Sequence, residues 1–191
     1  MSDQRAEVSP AGLIALFEDI FQSWKDAVGA KMVIATIINL ADRNIIELEL
    51  KKQRRVLGLG SSKKLIIHQK REVPQDILER RIAALVSRLD VRVRDVLLSF
   101  WAGPVPKPHQ DVETWIQEEL VRNGLMKKIE EKKRFRTRVS YTPLPTAFSL
   151  RSRVLDLKNQ LDQFQRQYPQ KYKQLRYEVN IGLELRTLYP V

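Results

Sequence analysis

Residues 31–50, KMVIATIINLADRNIIELEL, decide how the chain is read. Met32, Ile34, Ala35, Ile37, Ile38, Leu40 and Ala41 leave almost no polar face, which predicts a helix buried on most sides. Asn44 predicts a left-handed stop. Ile45, Ile46, Leu48 and Leu50, interleaved with Glu47 and Glu49, then predict a strand with one wet face. Eighty residues on, the pattern returns in residues 115–130, WIQEELVRNGLMKKIE, with Gly124 in the place of Asn44. Basic, hairpin-like sequence follows both copies. The chain therefore reads as two related helix-then-hairpin units.

Working outward, Ser9 and Pro10 make a helix start, with Ser as cap and Pro at the first helical position. Residues 1–9 before it are expected to be disordered. Leu13, Leu16, Phe17, Ile20, Phe21 and Trp24 fall at helical spacing and predict a core stripe, and Gly29 is read as the break before the buried helix. After Leu50, residues 51–71 place two apolar runs around Gly58, Gly60, Ser61 and Ser62, which predicts a basic β-hairpin. Helical pieces closed by such a hairpin make a winged helix, so residues 1–72 are read as a first winged-helix-like unit.

Val73-Pro74 opens the second unit, residues 73–146. Ile77, Leu78, Ile82, Leu85 and Leu89 mark one helix, and Val93, Val96, Leu97, Phe100 and Trp101 a second. GPVPKP at 103–108 is read as loop, and Asp111 as the cap of the helix holding Val112, Trp115, Ile116, Leu120 and Val121. A second hairpin follows, with residues 127–138 as its basic tip. From Ser149 the pattern changes. Leu150, Val154, Leu157, Leu161 and Phe164 are spaced 4, 3, 4, 3, a short a/d seam. That seam either packs on its own domain or meets a partner helix, including that of a second copy. Beyond Pro169 the segment to Tyr177 is amphipathic and basic, and Val179, Ile181, Leu183 and Leu185 alternate like a strand. The expected class is mainly α with small β-hairpins (α+β), with residues 147–191 a C-terminal helical extension.

The composition, 43% hydrophobic and 30% charged, is ordinary for a globular chain of 191 residues. The net charge of +11 favours an anionic partner. With no cysteine there is no disulfide framework and no thiolate metal site. The first fifteen residues lack the basic start and apolar run of a secretory signal, so a cytoplasmic location is expected. The longest strongly apolar run, Met32 to Ala41, is about half of what a bilayer crossing needs. The last residues, LELRTLYPV, carry no polar tail, as a piece of a longer chain would.

Catalytic chemistry is not visible. The two histidines, His68 and His109, belong to no cluster with metal-ligand spacing. No serine sits in a nucleophile elbow, and Gly58-Leu-Gly60 lacks the rest of a dinucleotide loop. Glu118-Glu119 and Glu130-Glu131 are sequence neighbours, and neighbours on a helix do not face each other. No enzyme, cofactor or metal is expected. The charge says more. Lys51, Lys52, Arg54, Arg55, Lys63 and Lys64, with Lys70 and Arg71, crowd the first hairpin. Lys132, Lys133, Arg134, Arg136 and Arg138, with Lys127 and Lys128, crowd the second against Glu130 and Glu131. These are the candidate anion-binding residues, for acidic phospholipid or nucleic acid. The helices that a DNA-binding winged helix would put in the major groove are ill suited, one nearly all apolar and the other acidic. What remains is non-specific phosphate contact or an anionic membrane surface.

The order of motifs resembles the Golgi phosphoprotein family and its bacterial relatives. It is carried by the buried helix with LADRNIIELE, the basic hairpin, VPQDILERRIAALV, then WIQEELVRNGLM, a charged hairpin and TPLP, over roughly residues 28–157. AVGAKMVIATIINLADRNIIELE is also similar to the cytosolic winged-helix part of a family of bacterial and archaeal membrane proteins of unknown function. The first resemblance implies a peripheral protein that reads a phosphorylated inositol lipid. The chain departs from it at two places. That family inserts an apolar hairpin tip into lipid, whereas KKIEEKKRFRTR here is charged with only Phe135 to bury. The family's pocket tryptophan has a counterpart region at Trp24, but the arginines do not align, so no pocket residue carries over. The leading expectation is a binding or scaffolding module at a membrane face. Phosphate-contacting nucleic-acid binding and a protein interaction through the C-terminal helix, as a homodimer or with another partner, are the alternatives.

Overall fold

The apolar stretch does form one long helix, and it is the centre of the molecule. In the computed structural model, which describes residues 8–54, 61–69, 77–86, 91–101, 105–134 and 136–188, helix α2 (Val28–Asp42) has eleven buried residues of its fifteen. Helix α1 (Pro10–Leu16) packs against it, capped by the Ser9 hydroxyl, which accepts from the Gly12 N–H at 3.1 Å. Val8, in the stretch expected to be disordered, is buried; residues 1–7 lie outside the described residues. After α2 come strands β1 (Ile46–Arg54) and β2 (Ser61–Gln69), helix α3 (Ile77–Val86), a two-residue strand β3 (Val91–Arg92) and helix α4 (Val93–Leu98). Helix α5 (Pro108–Arg122), strands β4 (Met126–Lys133) and β5 (Arg136–Pro143), and helices α6 (Arg151–Gln167) and α7 (Pro169–Leu188) complete the chain. The described chain is mainly helical with two small antiparallel sheets, β1-β2-β3 and β4-β5. Among the described residues no helix is long and apolar enough to cross a membrane.

The internal repeat holds down to single hydrogen bonds. Helices α2 and α5 are each fifteen residues long and begin eighty residues apart, as do β1 and β4. Asn44 (φ 56°) and Gly124 (φ 68°) both adopt the left-handed conformation. Ile45 N–H reaches back to the Leu40 carbonyl at 2.9 Å, and Leu125 N–H to Leu120 at 2.9 Å. Asn44 N–H donates to Ala41 and Gly124 N–H to Val121, at 3.0 and 3.1 Å. This double bond pattern closes both helices in the same way and satisfies carbonyls that a helix end leaves open.

The two repeats also touch at equivalent positions. Gly29 is not the break before the buried helix but its second residue, and its neighbour is the backbone of His109. A Cβ on Gly29 would sit 2.4 Å from the His109 carbonyl oxygen, whereas one on Gly124 would meet nothing within 4 Å. The Gly29 N–H, free at a helix start, donates to the Glu113 carboxylate of α5 at 3.1 Å. Burial raises the pKa of that carboxylate, although the Gly29 bond works the other way. Two substitutions separate the roles of these glycines. Gly29→Ala is expected to cost about 1–3 kcal/mol or more through the forced backbone shift. Gly124→Ala should cost about 1–2 kcal/mol, from the left-handed conformation alone. Urea midpoints of the two variants measure both.

His109 itself is half-buried, and its Nδ1 is enclosed without a hydrogen-bond partner among the described residues. Burial holds its pKa below the ordinary 6.5, against a smaller opposing pull from Glu184. Between 6.5 and that lowered value the folded state binds fewer protons than the unfolded one. Stability present above about pH 6.5 is therefore lost as the pH falls through this window. His109→Gln should shrink the difference between denaturation midpoints taken at about pH 7.5 and about pH 5.5.

Several expectations change where the chain packs. Pro108, read as loop, is the first residue of α5, a position where its missing N–H costs nothing. Asp111 is consequently in the first turn rather than at the cap, and its carboxylate accepts from the Trp101 indole at 3.1 Å. Ser61 and Ser62 belong to β2 rather than to the turn; residues 55–60, including the VLGL run and Arg55, lie outside the described residues, as does Leu89. From Pro169 to Leu188 the chain is one helix. Tyr172, Leu175, Val179 and Leu183 are buried at steps of three and four, and this stripe outweighs the alternation of Val179, Ile181, Leu183 and Leu185.

Helix α7 packs against α4, α2 and β2. One hydrophobic cluster takes in residues from both repeats and from α6 and α7. Strand β3, within residues 73–146, pairs with β2, within residues 1–72, through Ile66–Arg92 and Ile67–Val91. Of the α6 seam, Val154, Leu157 and Leu161 are buried in that cluster, and Leu150 and Phe164 pack against it. The seam is thus used inside the chain.

Candidate anion-binding hairpins

Both hairpins begin on the core and leave it as they lengthen. In β1 and β2 the inward face runs Ile46, Leu48, Leu50 against Ile67 and Leu65, and Ile46, Leu48, Leu65 and Ile67 are buried. The next positions on that face are Lys52 and Lys63; beyond them Arg54 pairs with Ser61 in the strand register, and their side chains lie outside the described ones. On the other face Lys51 stands opposite Lys64. Two consecutive pairs therefore set lysine across from lysine, an arrangement that opposes strand pairing. Partial relief comes from within the chain. Lys51 Nζ lies 3.1 Å from Glu49, and Lys63 Nζ donates to Gln170 on α7 at 3.1 Å. Glu49 also meets His68 at 2.9 Å, and Lys51 first and His68 second hold its carboxyl below the usual range. His68, which stands alone in the sequence, thus has a cross-strand role.

The second hairpin is more open. Strand β4 runs to Lys133 and β5 begins at Arg136, so Lys127 to Lys133 lie along strand β4 rather than in a tip. The described side chains from Ile129 outward are exposed on both faces except Ser140, with Ile129 at 38% and Val139 at 43% exposure. Lys132 stands opposite Thr137, Lys133 opposite Arg136, and Glu131 opposite Arg138. Between Lys127 and Arg138 the arm carries seven basic residues against two acidic ones.

The foot of this arm is anchored to α5. The Tyr141 hydroxyl donates to Glu118 at 2.7 Å, and Lys128 Nζ lies 2.9 Å from Glu118 and 3.1 Å from Glu130. The Tyr141 hydroxyl, the larger influence, and Lys128 pull the Glu118 carboxyl below its ordinary value. Tyr141 is pushed up to about 12, by burial first and then by Glu118. Three of the four carboxylates of α5 thereby have structural roles: Asp111 holds Trp101, Glu113 holds the start of α2, and Glu118 holds the arm.

The remaining candidates fall elsewhere. Trp24 packs edge-on to Phe21 and Tyr172, with centroids 6.0 and 6.2 Å away, and Arg176 behind Tyr172 makes two bonds to Asp26 at 2.8 and 3.0 Å. Among the described residues no group of three or more histidines, aspartates or glutamates is placed to hold a metal ion. The chain matches no protein-family model and no curated protein sequence.

One residue with no signal in its immediate neighbours turns out to organise the first hairpin. Glu178 on α7 is fully buried. It accepts from the Leu65 N–H of β2 at 2.9 Å, from the Arg94 N–H at the start of α4 at 3.3 Å, and from Gln174 at 3.0 Å. Arg92 Nε lies 3.1 Å from it, close enough for an ion pair though too poorly aligned for a hydrogen bond. Its legible signature is helical spacing: a glutamate set among Leu175, Val179 and Leu183 has to be partnered if that stripe is buried.

Proposed function

We propose that the chain is a non-enzymatic binding and scaffolding module, built of two tandem winged-helix-like units, whose basic hairpins meet an anionic surface from the cytoplasmic side of a membrane. The observation that carries this reading is the β4–β5 arm. It projects from α5 with both faces exposed and a large excess of lysine and arginine. The lysine pairs across β1 and β2 support it, because repulsion that opposes folding is relieved when phosphates sit over the cations. The duplicated helix, turn and hairpin support the tandem architecture.

Sequence-specific DNA reading is disfavoured by burial, since α2, the helix preceding the first hairpin, has few side chains at the surface. Flotation with vesicles of acidic phospholipid at low salt, beside vesicles of neutral lipid, tests the proposal. The protein should float with the acidic vesicles alone. Protein that stays at the bottom with both, yet retards duplex DNA in a parallel gel, would move the function to phosphate contact with nucleic acid. Protein that binds neither would end the anionic-surface reading.

A further inference from the structure

A cleft of about 1320 Å³ opens between α6, the C-terminal ends of α2 and α5, and the foot of β1. It is larger than the roughly 300–1,000 Å³ of small-molecule pockets, which suits a length of chain better than a metabolite. Its electrostatics are opposite to those of the rest of the molecule. The lining includes five acidic side chains and three basic ones, in a chain whose net charge is +11. Two of the bases are engaged within the chain, Arg43 with Glu79 at 3.2 Å and Arg153 with the Val8 carbonyl at 3.2 Å. Among the described residues Asp42 accepts only from the Gln160 amide, at 2.8 Å, and Asp156 is exposed on α6 without an ion-pair partner. Asn44 and Asn123, from the two equivalent turns, line the cleft, so both helices direct the negative ends of their dipoles toward it. Asn159 and Gln163 of α6 add carboxamides able to donate to and accept from a peptide main chain, while Gln160 is already bonded to Asp42 and Asn39.

We propose that this cleft binds an extended peptide segment bearing lysine or arginine side chains. The carboxamides would pair with its main chain, and Asp42 and Asp156 with its cations. Glu47 and Leu48 at the foot of β1 line the site, but none of the candidate anion-binding lysines and arginines does, and its partner has the opposite charge to theirs. The positive net charge of the whole chain opposes the approach of such a peptide, so binding depends on the local excess of carboxylates in the cleft.

The test is fluorescence anisotropy of a labelled peptide of about nine residues, alternating arginine and alanine, titrated with the full chain at low salt. Two variants accompany it. Asp42→Lys with Asp156→Lys reverses the charge at two solvent-accessible positions, and Asn159→Trp fills the cleft without touching its charge. The expected result is saturable binding that weakens at least about tenfold in each variant. Absence of binding, or binding that either variant leaves unchanged, overturns the proposal. So does complete displacement by equimolar spermine, which would assign the cleft to small polyamines.

Discussion

Glu178→Ala is expected to destabilise the protein by about 3–5 kcal/mol, the range found when one partner of a buried ion pair is removed. The carboxylate is fully buried, and alanine would leave three groups facing an apolar gap: the Leu65 N–H, the Arg94 N–H and the Arg92 guanidinium. An unsatisfied buried donor costs about 1–3 kcal/mol, so the two backbone bonds alone account for much of the loss. Domain stabilities lie at about 5–15 kcal/mol, so the variant should unfold at markedly lower urea. Glu178→Gln keeps an acceptor for one N–H, loses the charge opposite Arg92, and should fall between the two. A shift below about 1 kcal/mol for the alanine variant would mean that α7 does not hold β2 and α4 through this residue.

The second large effect concerns binding. Changing Lys132, Arg134, Arg136 and Arg138 together to alanine should reduce affinity for acidic vesicles by about a thousandfold. Each basic residue near an anionic membrane surface contributes about 1 kcal/mol, and about 1.4 kcal/mol is a factor of ten. The arm positions Lys132, Arg134 and Arg138 are exposed, and the anchor at Glu118, Lys128 and Tyr141 is untouched, so folding should survive the change. Equal binding by the variant and the unmodified chain, each followed by vesicle flotation, would transfer the role to the first hairpin or remove it altogether.

Much of the fold was legible because it follows from local rules. The apolar run over Met32 to Ala41 left no choice but a buried helix, and Asn44 and Gly124 at matching places announced both left-handed turns. Ser9 and Pro10 marked a helix start that the structure keeps. Legibility failed where two periods overlapped or where the partner was remote. Val179, Ile181, Leu183 and Leu185 alternate, yet Leu175, Val179 and Leu183 also fit a helix, and only packing on α4 and β2 decides between them. Gly29 looked like punctuation because its reason, the His109 backbone, lies eighty residues away. The acidic side of α5 read as a poor surface for phosphate. Three of its four carboxylates are in fact turned to Trp101, Gly29 and Tyr141, contacts that no local pattern encodes. The basic residues of the hairpins were legible as a set. Their division into facing lysine pairs on one hairpin and a two-sided arm on the other required the register.

The most direct test of the anionic-surface account is the salt dependence of vesicle binding by the unmodified chain, titrated at about 50 and about 200 mM salt. If several cations of the arm engage lipid phosphates at once, affinity should fall by about a hundredfold or more over that interval. Binding that is absent at the lower salt, or that persists undiminished at the higher, would contradict the account.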